Sequence, residues 1–274
     1  MRVARSESAL THAVLIVAAL VAAFPLASVI VTSLGGSGSS GGSGGAGSAG
    51  FGNYVEAWTQ GGFGSALLSS ALVAITVVVV TAAVACLAGY ALAHMRVPGG
   101  RIILGLLLIG LVLPYEVTVL PLYQMLAGWG LVDTYGALIL PQVGLSVPLG
   151  VFWMRSFFVS VPTELLEAAR IDGATRFRIL RSVLMPVAMP AVATLATILF
   201  LFTWNEFLLA LVLVPQNQAV QTAPLSLSFF SGAQHGAQPD VTAAAAVLVA
   251  LPIVIAYIVL QRRLITGLTE GAVK

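Results

Sequence analysis

The stretch that decides the architecture is residues 160–186, SVPTELLEAARIDGATRFRILRSVLMP, the longest polar segment between apolar runs. Thr163 precedes a helical pattern with acidic residues in its first turn, and threonine at that place is a frequent helix cap. Gly173 can end this helix with a positive φ, and a second helical pattern follows it. The stretch therefore predicts a helix capped by Thr163, a turn at Gly173 and a second helix that ends at Pro186.

Six apolar runs surround this stretch, four before it and two after it. Their bounds are Ala13–Leu34, Ser65–Ala93, Ile102–Leu126, Tyr135–Phe158, Val187–Leu213 and Val241–Leu260. Each is close to or above the ~20 residues with which a helix crosses the hydrocarbon core. The runs lack the two-residue alternation of barrel strands. We predict an all-α membrane protein with six transmembrane helices in one domain over residues 1–274, in which prolines such as Pro114 kink helices without breaking them.

The cationic residues indicate how these helices are oriented. All 12 Lys and Arg residues fall before the first run, between the second and third, from the end of the fourth (Arg155) to the start of the fifth, or after the sixth. The connections at roughly 35–64, 127–134 and 214–240 contain no Lys or Arg. Basic residues near helix ends resist translocation, so the cationic side is predicted to be cytoplasmic. Six spans then place both termini and the 160–186 segment in the cytoplasm.

The composition excludes a soluble protein. Hydrophobic residues make up 59% of the chain, charged residues 8%, and the mean hydropathy is +1.03. An average soluble domain has about 25% charged residues. The net charge of +2 is too small to indicate nucleic acid binding. These values predict an integral membrane protein with lipid around it and no nucleic acid partner.

Residues 35–50 form a low-complexity segment in which fourteen of the sixteen residues are Gly or Ser. Such chains behave as flexible linkers. The segment is either native low-complexity sequence or an engineered replacement. In both cases we expect a disordered loop outside the membrane that carries no chemistry.

Metal and disulfide chemistry have no support in the sequence. Cys86 is the only cysteine, which excludes an intrachain disulfide and a cysteine-based metal cluster. His12, His94 and His235 lie far apart in the sequence. We therefore predict no metal site and no cofactor bound by this chain.

Several motifs together resemble one family. The pattern is Glu167-Ala168-Ala169, then Gly173, then Val183-Leu184-Met185-Pro186, and it resembles the EAA loop of ABC-importer permeases. That family's pattern ends Ile-x-Leu-Pro, so Val183 and Met185 depart from it conservatively. The longer form at 167–174 is similar to the carbohydrate-uptake class, the maltose-transporter-like permeases. Further segments that agree are Pro114–Val117, Pro121–Tyr123, Trp204–Phe207 and Gly267–Lys274.

The resemblance implies a role for the 160–186 segment. In such importers the EAA loop docks as a coupling helix into a cleft of a separate ATPase subunit. Small residues allow close approach, acidic residues offer anchors, and a glycine lets the second helix turn back towards the fifth span. The residues of this chain that match these roles are Glu167, Ala168, Ala169, Asp172, Gly173 and Pro186.

Two glutamates, Glu116 and Glu206, fall within apolar runs. An ionisable group there is costly unless it is paired or hydrated, so each is a candidate for the substrate pathway. Glu206 follows Trp204 and Asn205, which combine a stacking face with hydrogen-bonding groups suited to a sugar. The alternatives are that Glu116 reaches the outer interface, and that Asn205 and Glu206 bind neighbouring helices.

The function that the resemblance implies is a non-catalytic permease subunit of an ATP-driven, binding-protein-dependent importer for a sugar or oligosaccharide. The chain lacks a Gly-x-x-x-x-Gly-Lys-Ser/Thr motif, so ATP and Mg would bind to a partner. The implied partners are ABC ATPase subunits, a second and homologous permease, and an extracytoplasmic sugar-binding protein, all at the bacterial plasma membrane. The alternative is an ion-coupled secondary transporter that uses Glu116 and Glu206.

Overall fold

The computed structural model describes the backbone of residues 5–35, 51–233 and 238–272, and the side chains of 11–35, 51–232 and 238–258. Apart from Gly35, the Gly/Ser linker lies outside the described residues. Every regular element in this part of the chain is a helix. The helices are α1 (Arg5–Leu34), α2 (Gly52–Gly61), α3 (Phe63–His94), α4 (Gly100–Val112), α5 (Val119–Gly128), α6 (Tyr135–Ser160), α7 (Thr163–Ile171), α8 (Arg176–Arg178), α9 (Met185–Trp204), α10 (Leu208–Leu213), α11 (Ala223–Ala233) and α12 (Pro239–Ala272).

Five stretches of helix among the described residues are long and apolar enough to cross a membrane. They are Thr11–Leu34, Phe63–His94, Tyr135–Ser160, Arg176–Trp204 and Pro239–Ile258. A sixth span results if α4 and the helical stretch Tyr115–Gly128 form one bent crossing. The all-α prediction is therefore confirmed with five or six spans, and the orientation of the termini stays a prediction.

The third predicted span is not one kinked helix. The axes of Gly100–Val112 and Tyr115–Gly128 differ by 93°, so the prediction of a continuous Ile102–Leu126 helix was wrong. Leu113 has φ −65° and ψ 129°, the extended conformation that proline imposes on the residue before it. Pro114 thereby ends α4, and a 3₁₀ turn over Tyr115–Thr118 leads into α5.

The fifth predicted span begins earlier and ends earlier than Val187–Leu213. Helix continues from α8 through a π-helical turn, Ile179–Leu184, into α9. The prediction that a separate helix ends at Pro186 was therefore wrong. At the other end, α9 stops at Trp204 and a new short helix, α10, begins at Leu208. The membrane helix is thus Arg176–Trp204, followed by a break at 205–207.

The chain forms two compact units, and the prediction of a single domain stays a prediction. The first unit comprises Met1–Gly64 and Ser226–Leu251. Within it, the Asn53 side chain donates hydrogen bonds to the carbonyl oxygens of Ser33, at 3.0 Å, and Gly35, at 2.8 Å. The hydroxyls of Ser33 and Tyr54 are 2.7 Å apart. These contacts attach α2 to the end of α1.

The second unit, Ser65–Leu225 with Pro252–Lys274, contains two hydrophobic clusters. We call the first the loop-end core, with the buried residues Ala85, Cys86, Tyr90, Met154, Phe158, Val161, Leu166, Ala169, Ile179, Leu180, Leu184, Ala188, Leu195 and Leu199. We call the second the break-end core, with Val73, Val77, Val119, Leu126, Ala137, Leu138, Leu209, Ala210, Leu213, Val214, Val220 and Leu225.

Helices α3 and α6 approach each other closely beside the loop-end core. A Cβ atom at Gly89 would lie 2.9 Å from the backbone nitrogen of Arg155 and 3.0 Å from the Cβ of Met154. Real Cβ atoms do not come so near, so the position requires glycine. Small residues allow this kind of helix contact in membranes, where packing rather than water exclusion drives association.

Candidate functional site

Helix α7 is a short amphipathic helix that begins directly after α6. Its N-cap position is Pro162, and no side chain there accepts a hydrogen bond. The prediction that Thr163 caps the helix was wrong, because Thr163 is already the first helical residue. Glu164 nevertheless lies in the first turn, where a negative charge is favourable.

A glycine turn ends α7, as the sequence predicts. Gly173 has φ +76°, and a Cβ there would meet no atom within 4 Å. The Gly173 amide donates to the Arg170 carbonyl and the Ala174 amide to the Ala169 carbonyl, both at 3.0 Å. This is a Schellman motif. The positive φ is thus confirmed, and backbone conformation rather than lack of space requires the glycine.

The two faces of α7 have different surroundings. Leu166 and Ala169 are buried in the loop-end core. Glu167, Ala168 and Asp172 are exposed. Of the predicted coupling residues in this segment, two acidic residues and one small residue therefore lie on the surface, whereas Ala169 faces inward.

Two large apolar residues, one at the end of α7 and one in α8, are also exposed. The sequence analysis did not identify them as surface residues. Ile171 is 86% exposed and Phe177 is 64% exposed. The signal that could have found Ile171 is its place between Arg170 and Asp172, opposite the apolar stripe that contains Leu166. Exposed large apolar residues next to acidic ones are typical of a contact surface.

The segment after the turn is joined rigidly to the membrane helix. The Thr175 hydroxyl accepts a hydrogen bond of 3.4 Å from the Arg178 amide and so caps α8. The π turn comes just before Pro186. Proline has no backbone N–H group to donate, and its ring crowds the carbonyl four residues earlier. The Met185 amide instead donates to the Leu180 carbonyl, five residues back. Pro186 thus widens the helix and does not end it.

Helix α3 contacts this segment through polar groups that the sequence analysis did not identify. The Tyr90 hydroxyl donates a 3.2 Å hydrogen bond to the backbone carbonyl of Arg176, the first residue of α8. One turn later, the His94 Nε2 atom is 2.9 Å from the carbonyl oxygen of Phe158 in α6. The loop segment is therefore bonded to α3, and α3 is bonded in turn to the end of α6.

The break at 205–207 contains two of the predicted pathway residues, Asn205 and Glu206. The Asn205 side chain donates a 2.7 Å hydrogen bond to the Leu201 carbonyl, and such local bonds compete with helix continuation. A carboxylate oxygen of Glu206 accepts a 2.9 Å hydrogen bond from the Leu209 amide. Glu206 thereby binds the start of α10, whereas Asn205 binds its own helix, α9. The pathway role of both residues stays a prediction.

The two helix breaks meet. The Tyr115 hydroxyl lies near the Glu206 carboxylate, and the charges of Glu206 and Glu116 both act on it. Glu116 is exposed in the 3₁₀ turn. Trp204 is only 3% exposed, and its ring centroid is 5.4 Å from that of Phe200. The structure thus brings Glu206 and Glu116 to one place and buries Trp204 beside them.

Other candidate sites in the described residues are poor. A cleft of about 300 Å³ between α5 and α6 is lined by apolar side chains such as Leu122, Met125 and Leu140, which do not suit sugar hydroxyls. No group of three His, Cys, Asp or Glu side chains in the part of the chain that the structure describes could hold a metal ion.

A family model described as the binding-protein-dependent transport system inner membrane component matches residues 85–269. The match contains the 160–186 segment and both helix breaks. The chain belongs to this family. The resemblance that its motifs indicate is confirmed, and this inner-membrane component is a multi-pass protein of the bacterial plasma membrane.

Relatives of this inner-membrane component have transport names. The trehalose transport system permease protein SugB of Mycobacterium tuberculosis (strain CDC 1551 / Oshkosh) is 38% identical over 60% of this chain and 60% of its own length. The chain thus spans about 60% of that relative. The melibiose/raffinose/stachyose import permease protein MelC of Bacillus subtilis (strain 168) is 31% identical over 100% of both chains.

A solved structure shows the fold of this inner-membrane component. It is a chain of a bacterial ABC transporter involved in the import of the acidic polysaccharide alginate, with a TM-score of 0.76 and 23% sequence identity. The similarity covers 96% of this chain and 99% of that chain. At this identity, the likeness shows a shared fold.

Proposed function

We propose that the chain is the permease subunit of an ATP-driven, binding-protein-dependent importer that carries a sugar or oligosaccharide and forms half of its translocation pathway. Family membership supports the transporter class. The names of SugB and MelC support a sugar, since they give trehalose for the first and melibiose, raffinose and stachyose for the second. The observation that carries the proposal is a short exposed helix, α7, packed on a helix that continues through the membrane-length segment Arg176–Trp204.

The exposed face of α7 is the proposed docking surface for the ATPase. Glu167 and Asp172 offer charge to a basic partner surface, and Ala168 permits close approach. Ile171 and Phe177 add apolar area of the kind that forms the centre of protein interfaces. Ala169, Gly173 and Pro186 have supporting roles, because they pack α7, turn the chain and shape the helix that follows. We place this surface in the cytoplasm, with both termini, on the basis of the Lys and Arg distribution.

Movement of α7 would reach the membrane through two connections. The first is the loop-end core, which contains Leu166 of α7 together with Met154 and Leu195 of the spans. The second is the backbone from Arg176 to Trp204, which the π turn does not interrupt. A displacement at the ATPase surface would therefore arrive at the break at 205–207 and at Glu206.

The break region is the proposed substrate pathway of this subunit. Discontinuous helices are the usual frame of transport sites within membranes. Glu116 and Asn205 are exposed there and can contact a sugar. Glu206 shapes the pathway through its bond to the Leu209 amide and its charge near Tyr115. Trp204 is buried, so we assign it a packing role and no longer expect it to stack on sugar.

The remaining partners follow from the importer class. ATP and Mg would be bound by ABC ATPase subunits, a homologous second permease would complete the pathway, and an extracytoplasmic binding protein would select the sugar. The chain itself would be non-catalytic. For the ion-coupled alternative, the structure offers no favouring contact in its described part, because the Glu206 carboxylate accepts a hydrogen bond from the Leu209 backbone amide.

The test is transport by the complex that purifies with this chain. The tagged chain, its co-purifying subunits and the matching binding protein are reconstituted into liposomes, and uptake of labelled trehalose, melibiose and raffinose is measured. We expect uptake of at least one sugar that needs both ATP and the binding protein and that persists with a protonophore. Uptake that follows a proton gradient without ATP would establish the ion-coupled alternative instead.

A further inference from the structure

Two short helices in the second unit, α5 and α10, share an arrangement that is not evident from their sequences. Each follows an interruption: α5 comes after the 3₁₀ turn at Tyr115–Thr118, and α10 comes after the break at 205–207. Their starts lie near each other, because the charge of the Glu206 carboxylate acts on the Tyr115 hydroxyl. Glu206 in turn accepts a bond from the α10 backbone at Leu209.

The two helices are joined along their lengths. Val119 and Leu126 of α5 and Leu209 and Leu213 of α10 are at most 4% exposed and belong to the break-end core. Such buried apolar contacts resist separation of the helices. They fix the relative position of the helices less specifically than hydrogen bonds do, because apolar burial is not directional.

Hydrogen bonds that fix this position lie at the far ends, around Asp133. Its amide donates a 2.9 Å hydrogen bond to the carbonyl of Leu213, the last residue of α10. Its carboxylate oxygen Oδ1 accepts bonds from the amides of Gln216, at 3.0 Å, and Asn217, at 3.1 Å. The Asn217 side chain returns a 3.0 Å bond to the Asp133 carbonyl. The loop after α5 is thus fixed to the loop after α10.

The backbone at Asp133 is strained. Its φ is +62°, and it is the one non-glycine residue with a positive φ in the described part of the chain. Side chains disfavour this region, although aspartate tolerates it better than most. A conformation of this kind persists where surrounding contacts determine it, and the four hydrogen bonds at Asp133 are such contacts.

We propose that Asp133 is a positioning residue that fastens α5 to α10, so that the two helices move as one body about the interruptions at Pro114–Thr118 and Asn205–Phe207. The proposal rests on the proposed importer function. Close at their starts, and joined along their lengths and at their far ends, the helices would carry Glu116 and Glu206 together when the pathway opens. Without Asp133, the two breaks could bend independently and the pathway residues would lose their common position.

Three substitutions separate the hydrogen bonds of Asp133 from its backbone conformation. Asp133→Ala removes the carboxylate and leaves a side chain that disfavours a positive φ. Asp133→Gly removes the carboxylate and relieves the strain. Asp133→Asn keeps an oxygen that can accept from the Gln216 and Asn217 amides and tolerates the same φ. Glu56→Ala in α2, where the carboxylate accepts a bond only from Gln60 of the same helix, is the matched control for loss of an acidic residue.

The measurement is ATP-driven sugar uptake by the reconstituted complex, together with a distance distribution between spin labels at Ala127 and Gln218. Both positions are exposed, and Cys86 is replaced by serine in every variant. We expect Asp133→Ala and Asp133→Gly to lower uptake per assembled complex by about fivefold, which corresponds to the loss of one to two hydrogen bonds. The label distance should broaden in both. Asp133→Asn and Glu56→Ala should retain uptake and a narrow distance.

Two results would overturn the proposal. Wild-type uptake and a narrow distance in both Asp133→Ala and Asp133→Gly would show that the hydrogen bonds do not join the helices. A loss in Asp133→Ala with full recovery in Asp133→Gly would show that only the backbone conformation matters. Failure of the wild-type complex to import any sugar with ATP would instead contradict the proposed function, so the two failures are distinguishable.

Discussion

The two hydrophobic cores of the second unit differ in how their helices are connected. At the loop-end core, a helix continues without interruption from Arg176 to Trp204, and apolar side chains supply most of the contacts. At the break-end core, two helices are interrupted, and the ends are held by Glu206 and Asp133. A continuous helix transmits a displacement. An interrupted one can bend, because side chains have already replaced the backbone hydrogen bonds at the interruption.

The largest effect is expected from Glu206→Ala, which removes the carboxylate at which the two interruptions meet. The Leu209 amide would lose its acceptor, and the Tyr115 hydroxyl would lose the charge near it. A hydrogen bond to a charged group contributes about 1.5–3 kcal/mol, so we expect uptake to fall at least about tenfold while the complex still assembles. Uptake and co-purification of the subunits are measured on the same preparation.

Glu206→Gln is the matched control for that variant, since it keeps an acceptor oxygen and should retain much of the activity. A Glu206→Ala complex with undiminished uptake would remove this residue from the pathway. A variant that fails to assemble would leave Glu206 with a helix-packing role alone.

The next effect concerns the turn at the opposite core. Gly173→Val places a β-branched side chain at φ +76°, which costs about 1–2 kcal/mol. We expect α7 to be displaced while the spans remain folded, so that the ATPase binds weakly and hydrolysis no longer drives uptake. Gly105→Val in α4, where a Cβ meets no atom within 4 Å, is the control. Equal ATPase binding by both variants would contradict the importance of the turn.

A smaller effect is expected at the surface of α7. Glu167→Arg reverses a charge on an exposed helix face without changing the core behind it. Like charges across an interface oppose binding, and an exposed site limits the change to about 1 kcal/mol. Titration of the purified permease with the ATPase should give several-fold weaker binding that improves as salt is raised. Unchanged affinity at low salt would exclude Glu167 from the contact.

The smallest effect is expected from Tyr90→Phe. The substitution keeps the ring, which is 6.1 Å from that of Phe158, and removes only the 3.2 Å bond to Arg176. A single hydrogen bond of this kind contributes about 0.5 kcal/mol, the low end of the usual range. We expect assembly to be unchanged and the amount of sugar imported per ATP to fall slightly. An effect as large as that of Glu206→Ala would mean that the loop-end core is the more sensitive of the two.

The sequence predicted well those features that depend on neighbouring residues. Apolar length predicted the membrane helices, and the positive φ at Gly173 followed from a glycine between two helical patterns. The sequence predicted helix continuity poorly where a proline can either break a helix or lie within it. Pro114 breaks its helix whereas Pro141 and Pro148 lie inside α6, and the difference depends on neighbours that can satisfy the freed backbone groups.

The candidate site shows the same division between features that neighbouring residues determine and features that depend on contacts remote in sequence. Glu206 was identified because a carboxylate within an apolar run is conspicuous. Its partners were not identified, because Tyr115 and Leu209 lie in different parts of the sequence and only one of them is close in chain position. Tyr90 was missed for the same reason, since its acceptor is a backbone carbonyl 86 residues away.

By itself, the sequence determined that this chain lies in a membrane as a bundle of helices, where a polar segment interrupts the bundle, and which family the chain resembles. The membrane location and the place of the polar segment follow from local composition and spacing, and the family resemblance follows from short motifs. None of these needs knowledge of contacts. Only the tertiary structure decided which helices are interrupted, that the interruptions meet at Tyr115 and Glu206, and that Asp133 joins the helices beyond them. Hydrogen bonds depend on distance and direction between groups remote in the chain, and folding alone brings those groups together.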